Sequence, residues 1–319
     1  MNSRCVKGII AGSFLLACVL TGCDSVKNKS ISFNAVSIDA ASVSSQSISQ
    51  NDVEQDTVSE NDVILDEQLG TSAVDTEYTD ISKAKPGDVV VFGSYEQDGD
   101  DGDGLEPIEW VVLDEYEDTI LVFSKYVIDK KPFNENDTAV YWSQSTIRKW
   151  LNDEFIAQAF SEKEQEAIVA SVLNNPGSSG YFSEFSKNGG TATGNNTEDK
   201  VFLLSYADVL KYYELEKVEK YYIFAGADLI TTATAACDIE NTSMSQMEYD
   251  TFYKEEGWPE DCVGVEGSGW FLRSHGFNSD DVMSVGYDGG VRGYYFTLGA
   301  DYESVAFEGG IRPAMWIYR

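Results

Sequence analysis

The stretch GSGWFLRSHGF, residues 267–277, decides how the C-terminal third of the chain is read. It sets the apolar run Trp270-Phe271-Leu272 directly before Arg273, Ser274 and His275, the only histidine in the sequence. A short apolar run bounded by glycines fits a buried strand that ends in a turn. As chemistry the stretch is thin. One histidine cannot build a His₂ or His₃ zinc site, and a Ser-His-Asp set would rest on this residue alone. Ser274 adjoins it, but adjacent strand residues point to opposite faces. His275 is therefore expected as an exposed turn residue rather than a catalytic one.

The segments after this stretch have the same texture. DVMSVGYDGGVRGYYF (281–296) and ESVAFEGGIRPAMWIYR (303–319) are short apolar runs separated by Gly-rich turns, with Asp288-Gly289-Gly290 as a hairpin signal. Pro313 precedes an apolar run, a position tolerated at a strand start or edge. Upstream, GDVVVFGSYEQ (87–97) begins as a strand, and EWVVLDEYEDTILVFSKYVI (109–128) reads as a hairpin turning at Glu115–Asp118. Helical spacing follows over 145–160. Ser161 with Glu164 then forms a capping box for a second helix, and Ser205 caps a third at 206–213. A further helical stretch is expected in AGADLITTATAAC (225–237), weakened by its threonines. Residues 174–199 read as a long Gly/Asn/Ser loop, of the kind that is usually functional or mobile. Strands, then helices, then strands again indicate α+β rather than repeated βαβ units.

Composition divides the chain into three parts. Residues 1–22 read as a signal peptide, with Arg4 and Lys7 before the apolar run Gly8–Leu20, which is short for a membrane span. The run ends in Leu20-Thr21-Gly22-Cys23, which resembles a bacterial lipobox. That resemblance implies a diacylglyceryl group on Cys23 and stable anchoring by two chains at the extracytoplasmic face of the membrane. Residues 23–80 form an acidic, Ser-rich linker with Phe33 and Tyr78 as its only aromatics. Such a segment buries too little apolar surface to order itself, and as a flexible stalk it spans roughly 40 Å. Residues 81–319 hold all six tryptophans and are long enough for a full core. Of the net charge of −33 this last part carries −25, with 18 basic and 43 acidic residues. That balance excludes nucleic acid as a partner, because a polyanion requires basic contacts to its phosphates. Contact with the membrane is expected only through the lipid.

Several pieces together resemble a known family. PIEWVVLD (107–114), STIRKWLNDEFIAQAFSEKEQEAI (145–168), TEDKVFLLSYADV (197–209), WFLRS (270–274) and GGIRPAMWI (309–317) occur in the order of the bacterial extracellular domain of unknown function numbered 6273, over nearly all of 86–319. Departures are His275-Gly276, where the family often has Pro-Gly, and Ile311, where valine is usual. No activity comes with the family. A tryptophan-bearing strand with Leu-Arg-Ser, Gly-rich hairpins and a closing Gly-Ile-Arg-Pro strand also look like the C-type-lectin-like fold. Formylglycine-generating enzymes and retroelement-diversified binding proteins share that architecture. The resemblance makes Arg273 and Arg312 core residues, each a partly buried guanidinium tied to carboxylates and carbonyls, with capture of an anionic ligand as the other reading.

The remaining candidates are weighed on their own chemistry. No cofactor is implied. DGDDGDG (98–104) offers Asp98, Asp100 and Asp103 as hard ligands for calcium, but the EF-hand register fails and a solvated acidic loop accounts for it. Cys237 and Cys262 remain after processing and are either a disulfide or two free thiols. Neither fits the active-site pair of the formylglycine-generating enzymes. Tyr287, Tyr294, Tyr295, Phe296 and Tyr302, with Arg292, Asp280 and Asp281, crowd the Gly-rich hairpins in the composition of a recognition surface. With Trp270, Arg273 and His275 they make the candidate ligand face. The expected function is non-catalytic binding of a glycan, a cell-wall component or a surface protein. The rivals are an enzyme built on carboxylates such as Asp280 with Glu303, and a structural envelope component.

Overall fold

The computed structural model describes residues 78–175, 194–218, 223–276, 281–292 and 305–319. All lie within one compact unit, Glu54–Arg319. The lipobox with Cys23, most of the linker and most of the Gly/Asn/Ser loop fall outside the described residues.

The first three strands form an antiparallel meander: β1 (Val89–Tyr95), β2 (Glu106–Tyr116) and β3 (Thr119–Ser124). On β2, Ile108, Trp110 and Val112 point inward and alternate with less buried residues, the period-two pattern of a half-buried strand. The indole of Trp110 is fully buried and donates its N–H to the Phe92 carbonyl at 2.7 Å. That bond removes a desolvation penalty of about 1–3 kcal/mol for an unpaired donor. The β2–β3 turn holds Glu117 at φ 53°, within the expected hairpin turn. Gly93, at φ 72°, lies where the β1 register shifts, and a Cβ there would stand 2.4 Å from the Phe160 ring.

After β4 (Asp129–Pro132) come α1 (Thr146–Trp150), a π-helical turn (Leu151–Phe155), α2 (Ile156–Ala159) and α3 (Glu162–Ala167). The Ser161–Glu164 capping box forms with both of its bonds. Phe160 packs on Phe92 and Trp110, and Phe155 on Phe160, at ring distances of 5.3–6.3 Å, which seats the helices on the meander. Such aromatic pairs add about 0.5–1.5 kcal/mol each beyond area burial. Then follow β5 (Ile168–Val169), β6 (Ser171–Leu173), β7 (Thr197–Asp199) and β8 (Phe202–Leu203). β6 and β7 pair with each other and close the base of the Gly/Asn/Ser loop. α4 (Tyr206–Tyr212) starts at Ser205 as expected, with Asp208 completing its capping box.

The remaining strands are β9 (Glu216–Val218), β10 (Ile223–Ala225) and β11 (Thr242–Ser243). After α5 (Gln246–Glu248) the chain forms β12 (Glu266–Gly267), β13 (Trp270–His275), β14 (Val282–Val285) and β15 (Gly290–Arg292). It closes with β16 (Glu308–Ile311) and β17 (Pro313–Tyr318). The helix expected over 225–237 does not form. Gly226 is extended, Thr231 donates its hydroxyl to the Lys125 carbonyl at 2.6 Å, and only two 3-10 turns appear, Ala227–Leu229 and Ala235–Cys237. The β-branched residues there serve a long-range contact instead of a helix.

Two sheets result. One runs β1-β2-β3-β17-β5, with β8 also on β17; the other runs β4-β16-β13-β14-β15-β10-β9. The architecture is α+β, strand-rich, with short helices. Among the described residues no helix is long and apolar enough to cross a membrane.

Candidate functional site

Strand β13 is buried on both faces, which changes the reading of the residues it carries. Trp270 is 1% exposed, donates its indole N–H to the Leu229 carbonyl at 3.3 Å and packs edge-on to Phe123. It belongs to the core and offers no ligand face. Arg273 spends its donors internally, on Asn175 Oδ1 (3.1 Å), the Leu203 carbonyl (2.8 Å) and Asp208 Oδ2 (2.6 Å). Burial works against the charge on Asp208, yet Arg273 and the Ser205 cap hold its carboxyl below the usual range. The structure thus ties this guanidinium to a carboxylate and carbonyls. Ser274 accepts the Tyr206 N–H at 3.0 Å, so it serves the start of α4.

His275 is not the exposed turn residue expected. It is 4% exposed, with its ring edge-on to Tyr141 (4.9 Å) and Phe133 (5.9 Å). Among the described residues neither ring nitrogen has a hydrogen-bond partner. The Asp281 carbonyl, which accepts the Gly276 N–H, favours the protonated ring weakly without meeting it in hydrogen-bonding geometry, and burial pushes the imidazole down to about 4. The ring lines a cavity of about 10 Å³ with Tyr141, Trp142, Asn175, Gly194, Arg273 and Ser274. That is room for about one water, not a substrate.

Arg312 stands between β16 and β17, where the chain passes from the second sheet to the first. It donates to the carbonyls of Ser124 (2.8 Å) and Lys125 (3.3 Å), at an earlier crossing, between β3 and β4. Burial pushes its guanidinium down to about 10. One side chain therefore fastens these two of the chain's crossings between the sheets to each other.

The C-terminal hairpin turns where expected, between β14 and β15. Arg292 pairs with the buried Asp288, whose carbonyl takes the Trp258 indole N–H at 3.1 Å. Tyr287 packs against the cluster of Tyr249, Tyr253, Trp258 and Cys262. Arg292 thus helps hold the turn, and Asp281, just before β14, accepts the Gly276 N–H with its carbonyl at 3.1 Å. Asp280, Tyr294, Tyr295, Phe296, Tyr302 and Glu303 lie outside the described residues. Cys237 and Cys262 are free, buried thiols, so the disulfide alternative is not the one formed.

The acidic loop assembles differently from its sequence order. Asp98 meets Glu96 and Glu106, each with one carboxylate oxygen within 4.8 Å of the others, whereas Asp100 and Asp103 stand apart. Asp98 and Asp100 instead accept the N–H groups of Asp100 and Gly102.

Beside it runs an open groove of about 380 Å³, lined by Tyr78, Gln97, Glu106, Pro107, Glu109, Tyr126 and Thr232–Thr234. Its floor is a parallel bridge, Val127 to Ala233, with Val127 N–H on the Thr232 carbonyl and Thr234 N–H on the Val127 carbonyl. Glu109 accepts from Tyr78 Oη (3.1 Å) and Lys125 Nζ (2.6 Å), and the ammonium also lies 5.0 Å from the Tyr126 ring centre. Both carboxylate oxygens of Glu109 are thereby occupied. The groove is not legible in the sequence because its residues come from five separated segments. The one local sign is Glu109, polar between the buried Ile108 and Trp110.

A strand-rich α+β domain with an open groove and an enclosed histidine is the class of protein that emerges. The family model described as Domain of unknown function (DUF6273) matches residues 117–319, and the chain belongs to that family. The match begins in the β2–β3 turn, so β1 and β2, with PIEWVVLD, lie outside it. No curated protein and no solved structure is matched.

Proposed function

We propose that this chain is a lipid-anchored extracytoplasmic protein whose domain binds a saccharide, from a glycan or the cell wall, without catalysis. The observation that carries the reading is the groove between Tyr78 and Tyr126. Its volume of about 380 Å³ suits a small ligand. Two tyrosine rings line it as apolar surface for sugar C–H groups, and the Thr232 hydroxyl and the Gln97 carboxamide oxygen, whose amide N–H groups hold the Glu106 and Pro107 carbonyls, are polar groups for its hydroxyls. Catalysis is less well supported. Glu109 is tied to Lys125 and Tyr78, and Asp208, which borders a cleft of about 280 Å³, is held ionised by Arg273. Neither is poised as a general acid.

Anchoring through Cys23 rests on the lipobox resemblance and the acidic, Ser-rich stalk. The C-type-lectin-like fold is part of the same proposal, supported by the Trp270–His275 strand, the β14–β15 hairpin and the closing strand at Pro313.

Binding of the full chain carrying Cys23→Ser is to be measured against a panel of glycans and cell-wall fragments, with calcium and with chelator. A saturable ligand whose affinity falls about tenfold or more with Tyr126→Ala supports the reading. Silence across the panel from folded protein, or binding indifferent to both Tyr126→Ala and Tyr78→Ala, overturns it. Membrane fractionation of Cys23→Ala tests the anchor separately: a variant still sedimenting with membranes after a salt wash counts against it.

A further inference from the structure

Beyond ligand binding, we infer that His275 is an acid-operated latch at the joint where the end of β13, the Tyr141–Trp142 turn and Asn175 meet. The geometry is specific. The ring is 4% exposed, wedged between Tyr141 and Phe133, and neither nitrogen has a partner among the described residues. A neutral imidazole tolerates this setting, with the adjoining cavity supplying room for one water. A protonated one does not, because a buried cation needs a counter-charge or a full set of hydrogen bonds.

The groups facing the ring offer none. On β13 itself the ionic neighbour is Arg273, two residues away and lining the same cavity. It is a second cation, and its own partner Asp208 is engaged at 2.6 Å. From the turn before α1 come the phenol of Tyr141 and the indole of Trp142. The indole N–H is committed to Asp199, which also takes Arg148. From beyond β4 comes Phe133, and from the ends of β6 and β7 come Asn175 and Gly194. From just before β14, Asp281 presents its backbone carbonyl. No carboxylate side chain lines the cavity among the described residues.

The sign of the effect follows. Above the free-histidine value of about 6.5 the ring is neutral in folded and unfolded chains alike. Between that value and about 4 the unfolded chain takes up a proton that the folded chain refuses. The folded-to-unfolded ratio then drops by up to tenfold per pH unit as pH falls, and levels off below. The first structure lost is the joint around the ring.

Because the chain has one histidine, its imidazole resonance is unambiguous. The test is an NMR titration of that resonance in the full chain, beside unfolding midpoints from pH 4 to 8 for the wild type and His275→Gln. The inference expects the ring to titrate more than one unit below 6.5. It expects the wild type to lose stability relative to His275→Gln as pH falls below 6.5, with a constant difference above pH 7. Backbone exchange at Tyr141–Trp142 and Arg273–Gly276 should quicken over the same range. A ring titrating near 6.5, or parallel stability curves, overturns it. Should His275→Gln fail to fold, the wild-type titration and exchange measurements decide alone.

Discussion

The guanidinium carbon of Arg312 lies 4.0 Å from the centre of the Phe123 ring and 5.1 Å from that of Trp270. Phe123 belongs to the first sheet and Trp270 to the second, so one planar cation is stacked on an aromatic from each. The same group bonds the Ser124 and Lys125 carbonyls, which ties the β16–β17 crossing to the β3–β4 crossing. A guanidinium is suited to this place because it is planar and weakly hydrated and can stack and donate at once.

Arg312→Ala should therefore cost about 3 kcal/mol or more, through two lost charge-assisted bonds and the stranded carbonyls. Arg312→Lys should recover only part of that loss, since an ammonium cannot stack and fork together. Urea unfolding of the three proteins checks this. A loss below about 1 kcal/mol for Arg312→Ala would show that the crossings hold without it.

Asp208 joins two devices, the Ser205 capping box of α4 and the ion pair with Arg273. Asp208→Asn leaves a buried guanidinium without its counter-charge, at an expected cost of about 2–4 kcal/mol given the partial exposure of the carboxylate. The pH sign is opposite in origin to that of a raised group. The carboxyl is held below its usual range in the folded chain, so its contribution is present above the unfolded value of about 3.9 and is lost as pH falls through the folded one. Acid unfolding below pH 4 should be shallower in Asp208→Asn than in the wild type. Identical acid limbs would contradict the pair's role.

What the sequence made legible was written within a few neighbouring residues. The caps at Ser161 and Ser205, the β2–β3 hairpin and the turn at Asp288–Gly290 all depend on local spacing, and all form. The same Ser-x-x-Glu signal stands at Ser245–Glu248 and was passed over, although the box forms there too. The burial of His275 was not legible, because Phe133 and Tyr141 reach it from more than 130 positions away. The groove was hidden for a similar reason: Tyr126 and Thr232–Thr234 become neighbours only through the Val127–Ala233 bridge. The threonines of 231–234, read as a weak helix, are spent on that long-range contact.

Gly93 sits at φ 72° in the irregular stretch of β1, with the Phe160 ring and the Ala159 carbonyl within 2.6 Å of where a Cβ would stand. Gly93→Ala combines a left-handed backbone with overpacking against a helix end. A loss of about 2 kcal/mol or more is expected, and thermal unfolding measures it. Phe160→Leu in the same background should restore part of the stability by relieving the ring contact. No loss on Gly93→Ala would mean that the helix end moves freely over β1.

The two cysteines give the last prediction. The Cys237 thiol donates to the Val127 carbonyl at 3.2 Å beside Thr234, and burial pushes it up to about 11. Cys262 is fully buried among Met244, Tyr249 and Trp258, and burial pushes it up to about 12. At pH 8 the thiolate fraction of Cys237 is then about a thousandth, and that of Cys262 smaller still. Neither should react with iodoacetamide in the native, non-reduced protein on the timescale of a free thiol. Both should react after denaturation without reductant, as peptide mapping would show. Failure of both to label in denaturant would establish a disulfide and overturn the free-thiol arrangement. Fast native labelling of Cys237 would instead show that the Val127–Thr234 segment, the floor of the groove, opens readily in solution.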